Sequence, residues 1–590
     1  MQQLQETSSD LQVSEEEKFP CMIPRPNQYG RPRRRKSYPP RRSHVAEVSR
    51  SSPRNAENRD VWTSANVCPT PISPYQGTQS DHSATIPTPE TLAYVGDQSF
   101  MDPLDAHNEY PVPQLEGTAR ARFSRELVKA MEATTLPPRV KVEALADTYF
   151  QHLYQRAPVI DRSDLFREQP SKLICQTLCL IGSCLRHPGI QSLLEESDEY
   201  YCKAKALLFA NYEVDHHQVL KALCLLSFRN ITPPRVLSLE SAYQWLGMAT
   251  RLAYQMGLHR ESTYSNLENP GSARRIIWTL CIQDKLQSAC FGRPSIIVGP
   301  EFDVQPVQLS DFEDQNIQAK LFIQYMNLNM ILGTIVDCHA QKGTHCLEKA
   351  TNILQSLQHW INNLPDELRL YHDTERRLFR RDVHELHINY FVCIVVFCRL
   401  FGQTLARSVS STVSLVASSC IARIYEEMHP RDEINYLMPI NNWFLMVGCA
   451  PQIQQRKNNP EDELCTEELH ILMTALRYMG LKWPPAKTLL GIIERLSTVD
   501  SMKPKEPSQS ICSRREDDEI SESRPFCQNS AIIRDLFPFP QSLSPRMGLI
   551  DEIFENFEDR FAFEHIPDLG DELNWIFDQY QHGFVEASLV

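Results

Sequence analysis

Three features of the sequence predict an all-α fold, a single large multi-helix domain between disordered ends. Apolar residues recur at spacings of three and four over most of the stretch from 120 to 500, and Gly and Pro stand at the joins. Alternating runs are almost absent, with 295–298 the one strand candidate. No fixed repeat of about 20 to 50 residues marks a solenoid. At 590 residues and 42% hydrophobic content the chain can bury at least one large core.

Residues 1–115 carry fifteen of the forty prolines among Ser, Thr and Asn. Such text cannot bury enough surface to offset ordering entropy, so it is read as disordered. Helical text begins near Arg120 and is secure from Lys141, where Leu145, Tyr149, Phe150 and Leu153 form a stripe ending at Pro158. Helices are then predicted over about 171–186, 197–212, 216–230, 236–256, 272–291 and 314–340. Further helices are predicted over about 345–363, 376–402, 410–429, 437–455, 463–481 and 485–497. Asp215 stands where the third of these needs a cap. Leu239, Ala242, Leu246, Ala249, Ala253 and Met256 make one stripe that Gly257 ends. Gly271 and Ser272 restart the next helix, and Gly292 with Pro294 closes it. The helical domain is placed at 116–500, a disordered linker at 501–545, and an acidic–aromatic segment at 546–590.

A net charge of −14 argues against a molecule that coats nucleic acid over its whole surface. The charge is segregated, however. Residues 25–54 hold ten Lys/Arg against one acid, and 548–590 hold eleven acids against one base. That asymmetry suits a nucleic-acid-related protein. The N-terminus has no secretory apolar region, and the longest wholly apolar run, 390–398, is less than half the roughly 20 residues a bilayer span needs. Eighteen cysteines without a signal peptide are expected to be reduced thiols, most acting as small hydrophobes. A soluble chain inside the cell, with no membrane partner, is the expectation.

Residue identities go further than periodicity. Arg251-Leu252-Ala253, Met256-Gly257-Leu258-His259-Arg260-Glu261, Ala273-Arg274-Arg275-Ile276-Ile277-Trp278, Asp284 and Gly292-Arg293-Pro294 succeed one another between 240 and 300. This succession closely resembles the middle homology region of fungal transcription factors. Tyr149-Phe150, the phrase from Ala157 to Asp161, and the set Leu354, Leu357, Trp360, Leu364, Pro365 and Leu368 resemble other parts of that region, which covers about 145–500 in all. The general look is similar to cutinase- and fatty-acid-type regulators. The resemblance implies a nuclear regulator of RNA polymerase II genes, pathway-specific for a metabolic or secondary-metabolite gene set. It also implies DNA (directly or through a partner), coactivators, a homo- or heterodimer and a small-molecule effector as partners. The family's usual DNA-binding module is a binuclear zinc cluster held by six cysteines. Its Cys-x2-Cys spacing occurs nowhere here, so no cofactor is expected in this polypeptide unless a missing upstream exon supplies the zinc ligands. The alternative is a co-regulator without a zinc cluster that dimerises with a DNA-binding partner and modulates it.

Three groups of residues are candidates for function. Arg31, Arg33, Arg34, Arg35, Lys36, Arg41 and Arg42 form a bipartite basic cluster suited to nuclear import or phosphate contact. Asp284 lies on apolar helical text, where a carboxylate is costly unless paired, and Arg274, Arg275 and Arg293 are the cations expected to pair with it structurally. Phe554, Phe557, Trp575 and Phe577 stand among acids in the composition of an activation segment. No catalytic set emerges. The pair His384 and His387 is three apart, where a metalloprotease helix needs four, and no nucleophile elbow or phosphate loop occurs.

Overall fold

Local caps decide where the helices begin. In the computed structural model Thr118 opens α1 (Ala119–Ala130), its hydroxyl accepting the N–H of Ala121. α2 (Arg139–His152) and the short α3 (Arg162–Leu165) follow. Ser171 caps α4 (Lys172–Leu185), and α5 (Leu193–Phe209) leads to α6 (His216–Leu226), where Asp215 accepts the N–H groups of His217 and Gln218. Ser241 caps α7 (Ala242–Gln255). This start leaves Leu239 outside the helix and 84% exposed, although the stripe had placed it inside. α8 (Pro270–Phe291) has Asn269 as its cap, proline in its first turn and Gly292 at φ 63 as its left-handed stop. Then come α9 (Ile317–Ala340), α10 (Cys346–Asn362), α11 (Arg381–Phe401), α12 (Arg407–Met428), α13 (Ile440–Asn458), α14 (Glu463–Met479), α15 (Pro484–Thr498) and a terminal helix, Gly548–Glu555.

The structure describes residues 118–165, 169–186, 193–232, 236–297, 301–340, 346–402, 407–498 and 532–555, with Tyr94 and a few other isolated positions. All of these lie in the compact unit His82–Val590. The basic cluster 31–42 and the aromatics Phe557, Trp575 and Phe577 fall outside the described residues, as does the side chain of Phe554.

α2, α5 and α6 each pack on α4, and α8 rests against α6, α7 and α9. α9 joins this half to the other by contacting both α8 and α11, and α11 to α15 pack among themselves. α11 is buried along nearly its whole length and wholly apolar from Tyr390 to Cys398, as a core helix can be. α9 and α11 are each long and apolar enough to cross a bilayer by length and composition, but 89% of the apolar window of α11 is buried inside this fold. The crossing of α4 on α2 depends on Gly182. A Cβ there would lie 2.3 Å from the carbonyl oxygen of Leu145, so no side chain fits without separating the helices.

Two expectations need correction. Residues 295–297 form no strand, because the N–H groups of Ile296 and Ile297 bond the Asp284 carboxylate and are lost to any ladder. Among the described residues the strands are instead β1 (Tyr371–His372) and β2 (Glu375–Arg376), a two-rung antiparallel hairpin turning at Asp373, φ 53. Secondly, the folded body does not end at 500. Ile533, Leu536, Phe537, Leu543, Met547 and Ile550 are all buried in the core. Tyr390 donates to the carbonyl of Leu536 at 2.8 Å, and Phe539 lies 5.4 Å from Phe391 between ring centroids. Arg546 donates to both oxygens of Asp462 at 2.9 and 3.0 Å. Residues 532–555, expected to be linker and tail, are therefore an integral layer over α11, α12 and α14.

Candidate regulatory site

The residues singled out on α8 turn in three directions. Arg275 is fully buried and makes a two-pronged pair with Asp161, 2.7 Å on each side. The same guanidinium donates to the carbonyl of Pro158 at 3.0 Å and to the Tyr154 hydroxyl at 3.1 Å. Tyr149 holds the other side of this loop, donating to Ala157 O at 2.6 Å and accepting from Ile160 N–H at 3.2 Å. The network continues through Asp164, which accepts from Asp161 N–H at 3.0 Å and from Lys221 at 2.6 Å. Burial would raise the Asp164 pKa, but the Lys221 ammonium and these hydrogen bonds outweigh it and hold the carboxyl below its usual value. Loop 157–161 thus ties α2, α6 and α8 into one frame.

Arg274 bridges Asp311 at 3.0 Å and Glu261 at 2.5 Å, with Tyr264 4.7 Å beneath it. Arg293 lies over the rings of Tyr243 and Phe291 at 4.6 and 4.9 Å. Asp284 is buried as expected, but the ion pair expected for it does not form. It accepts instead from the main-chain N–H of Ile296 and Ile297 at 2.9 Å, fixing the turn after Gly292-Arg293-Pro294. Burial raises its pKa, and the two main-chain donors oppose that rise. The geometric reason is simple: nine positions along a helix put Arg275 and Asp284 about 13 Å apart along the axis.

His384 and His387 are both buried on α11. Burial lowers their pKa values to about 3 and about 4, which leaves both neutral, and each ring nitrogen Nδ1 bonds a carbonyl one turn back on α11. Their neighbour Glu385 is 2% exposed and is shared by Arg156, at 2.5 Å, and Arg381. Arg381 also reaches Glu433 at 3.2 Å and His152, whose ring stacks on Tyr436 at 4.1 Å. Burial, followed by the charges of Arg381 and Lys482, takes His152 down to about 3. Among the described residues no group of His, Cys, Asp or Glu is arranged to hold a metal ion, and the described cysteines are free thiols.

Arg156 opens from this ion network onto a cavity of about 60 Å³ where α8, α9, α13 and α15 meet. Tyr325, Gln287, Asn442, Phe291 and Trp443 are among its walls. An outer pocket of about 490 Å³ shares Asn230, Thr232, Ala242 and Phe291 with it and leads to the surface. Neither Asp161 as the partner of Arg275 nor Arg156 was a sequence candidate. The signal for Asp161 was present in the phrase Ala157-Pro158-Val159-Ile160-Asp161, but 114 positions separate it from Arg275.

Residues 146–385 match the family described as "Fungal specific transcription factor domain". The match thus takes in both Arg156 and Glu385, with the frame around Arg275 between them. The chain is 25% identical over 460 residues to cutinase transcription factor 1 alpha of Fusarium vanettenii, covering 69% of this chain and 50% of that protein. It is 26% identical over 416 residues to the acetamidase regulatory protein of Aspergillus fumigatus, covering 63% and 52%. Activator of stress genes 1 of Saccharomyces cerevisiae is 24% identical over 242 residues, covering 37% of this chain and 24% of that protein. The chain spans about half the length of the first two of these relatives. The helical frame from 146 to 385 thus matches the fungal-specific transcription factor domain, and the relatives above are similar to this chain across it.

Proposed function

We propose that the chain is a pathway-specific regulator of RNA polymerase II genes in a fungal nucleus, and not an enzyme. The observation that carries this reading is the match of 146–385 to the fungal transcription factor domain, supported by relatives whose names are those of regulators. The helical body is its regulatory part, and the acidic–aromatic segment past 555 recruits coactivator. The Cys-x2-Cys spacing of a binuclear zinc cluster does not occur in the sequence, so sequence-specific contact with DNA is taken to come through a partner subunit. The basic cluster 31–42 carries the protein into the nucleus.

A fluorescent fusion tests the last step and the compartment together. The wild-type chain is expected to accumulate in the nucleus, and the variant Arg33→Ala/Arg34→Ala/Arg35→Ala/Lys36→Ala to remain in the cytoplasm. A wild-type fusion excluded from the nucleus would overturn the reading. Unchanged nuclear accumulation of the variant would remove the cluster's role alone.

A further inference from the structure

We propose that the cavity beside Arg156 binds a small carboxylic acid that also carries a hydroxyl or amino group. The proposal rests on the reading of the helical body as a regulatory domain and names the ligand class that body would sense. It stands first on polar atoms left without partners. Nη1 of Arg156, Oε1 of Gln287 and Oδ1 of Asn442 make no hydrogen bond, though the three residues are only 4, 7 and 5% exposed and all line this one cavity. Buried polar groups are ordinarily satisfied, and leaving one unsatisfied is costly. Three around a single space, drawn from α8, α13 and the segment after α2, mark a place shaped for a polar guest.

Charge selects an acid. Glu385 serves both Arg156 and Arg381, and Glu433 is the second carboxylate in contact with Arg381. Arg156 is therefore left with one shared carboxylate, and its Nη1, on the cavity side, has no acceptor. A carboxylate matches the planar fork of a guanidinium and brings a negative charge.

The amides of Gln287 and Asn442 each present an acceptor, which suits a hydroxyl or amino donor on the same small molecule. The rings of Tyr325, under the Arg156 guanidinium at 5.2 Å, and of Phe291 and Trp443 supply the apolar walls. The cavity, of about 60 Å³, is small enough to admit only a small acid, and the outer pocket gives it a way in.

Thermal unfolding of the full chain in 3-hydroxybutyrate, butyrate, inorganic phosphate and butylamine hydrochloride, at matched ionic strength, is the test. 3-Hydroxybutyrate is expected to raise the midpoint by about 2–4 °C, butyrate by less, and butylamine not at all. Arg156→Gln removes the guanidinium but also loosens Glu385, so Asn442→Leu is the cleaner variant: the same number of side-chain heavy atoms, no unpaired carbonyl. It is expected to melt no lower than wild type and to lose the advantage of 3-hydroxybutyrate over butyrate. Equal shifts from all four salts, a shift from phosphate alone, or no shift at all would overturn the proposal, as would an unaltered preference in Asn442→Leu. The measurement involves no transcription, so its failure would leave the regulatory reading standing, and a failed reporter would leave the binding result intact.

Discussion

Replacing Arg275 by alanine is expected to lower the unfolding free energy by about 3–5 kcal/mol, the usual cost of breaking a buried ion pair from one side. The loss is large because Asp161, 2% exposed, would be left charged without its two 2.7 Å bonds. Pro158 O would lose its donor in the same step, so the frame joining α2 and α8 should loosen with it. Removing both charges together in Arg275→Met/Asp161→Leu should cost less than the sum of the single changes, since no unpaired charge then remains. Arg274→Ala on the adjacent position is a control. Its partner Glu261 is one-third exposed, and the loss there should be nearer 1 kcal/mol. Urea unfolding of these three variants, and of Arg275→Met and Asp161→Leu singly, gives the comparison. An Arg275→Ala protein as stable as wild type would mean that the pair contributes nothing and that the frame is held by packing alone.

Ending the chain at residue 530 is expected to be more damaging still. The segment removed buries Ile533, Leu536, Phe537, Leu543, Met547 and Ile550 against the core. At about 1.5–3 kcal/mol for each buried apolar side chain, the loss is on the order of 10 kcal/mol, comparable with the whole net stability of a typical domain. Glu468, fully buried, would also lose Arg546, one of the two cations beside it. The shortened chain should bind a hydrophobic dye and unfold without cooperativity, whereas a chain ending at 555 should unfold as the full one does. Matching melts for the 530 and 555 chains would show that the segment merely rests on the surface.

Much of the helical body was legible because its signals are local. Asp215 and the Gly257, Gly271 and Gly292 punctuation act within a turn of the boundary they set, so the expected α6, α8 and α14 begin within two residues of the observed ones. Pairings across the fold were not legible. Asp161 and Arg275 each stand in a recognisable phrase, but nothing local says that they touch. For Asp284 the burial was readable from its apolar helix, and the partner was not, because the structure satisfies the carboxylate with main-chain donors that leave no trace in side-chain identities. Residues 532–555 were hidden for a different reason. Ile533, Leu536 and Phe537 keep helical spacing for a single turn, and Pro538, Pro540 and Pro545 then interrupt the text before Met547, which is how a chain laid along a groove reads. Phe554 falls within the helix Gly548–Glu555, while Phe557, Trp575 and Phe577 lie outside the described residues.

Tethering the whole chain to an unrelated DNA-binding domain upstream of a reporter tests the regulatory role most directly. The fusion is expected to raise transcription several-fold, and Phe557→Ala/Trp575→Ala/Phe577→Ala to remove most of that gain while leaving the helical body folded. Aromatic side chains bury about 150–250 Å² each in a partner's groove, whereas exposed acids are screened beyond roughly 8 Å in cellular salt. A wild-type fusion that is expressed, nuclear and bound at the reporter, yet leaves transcription unchanged, would contradict the account.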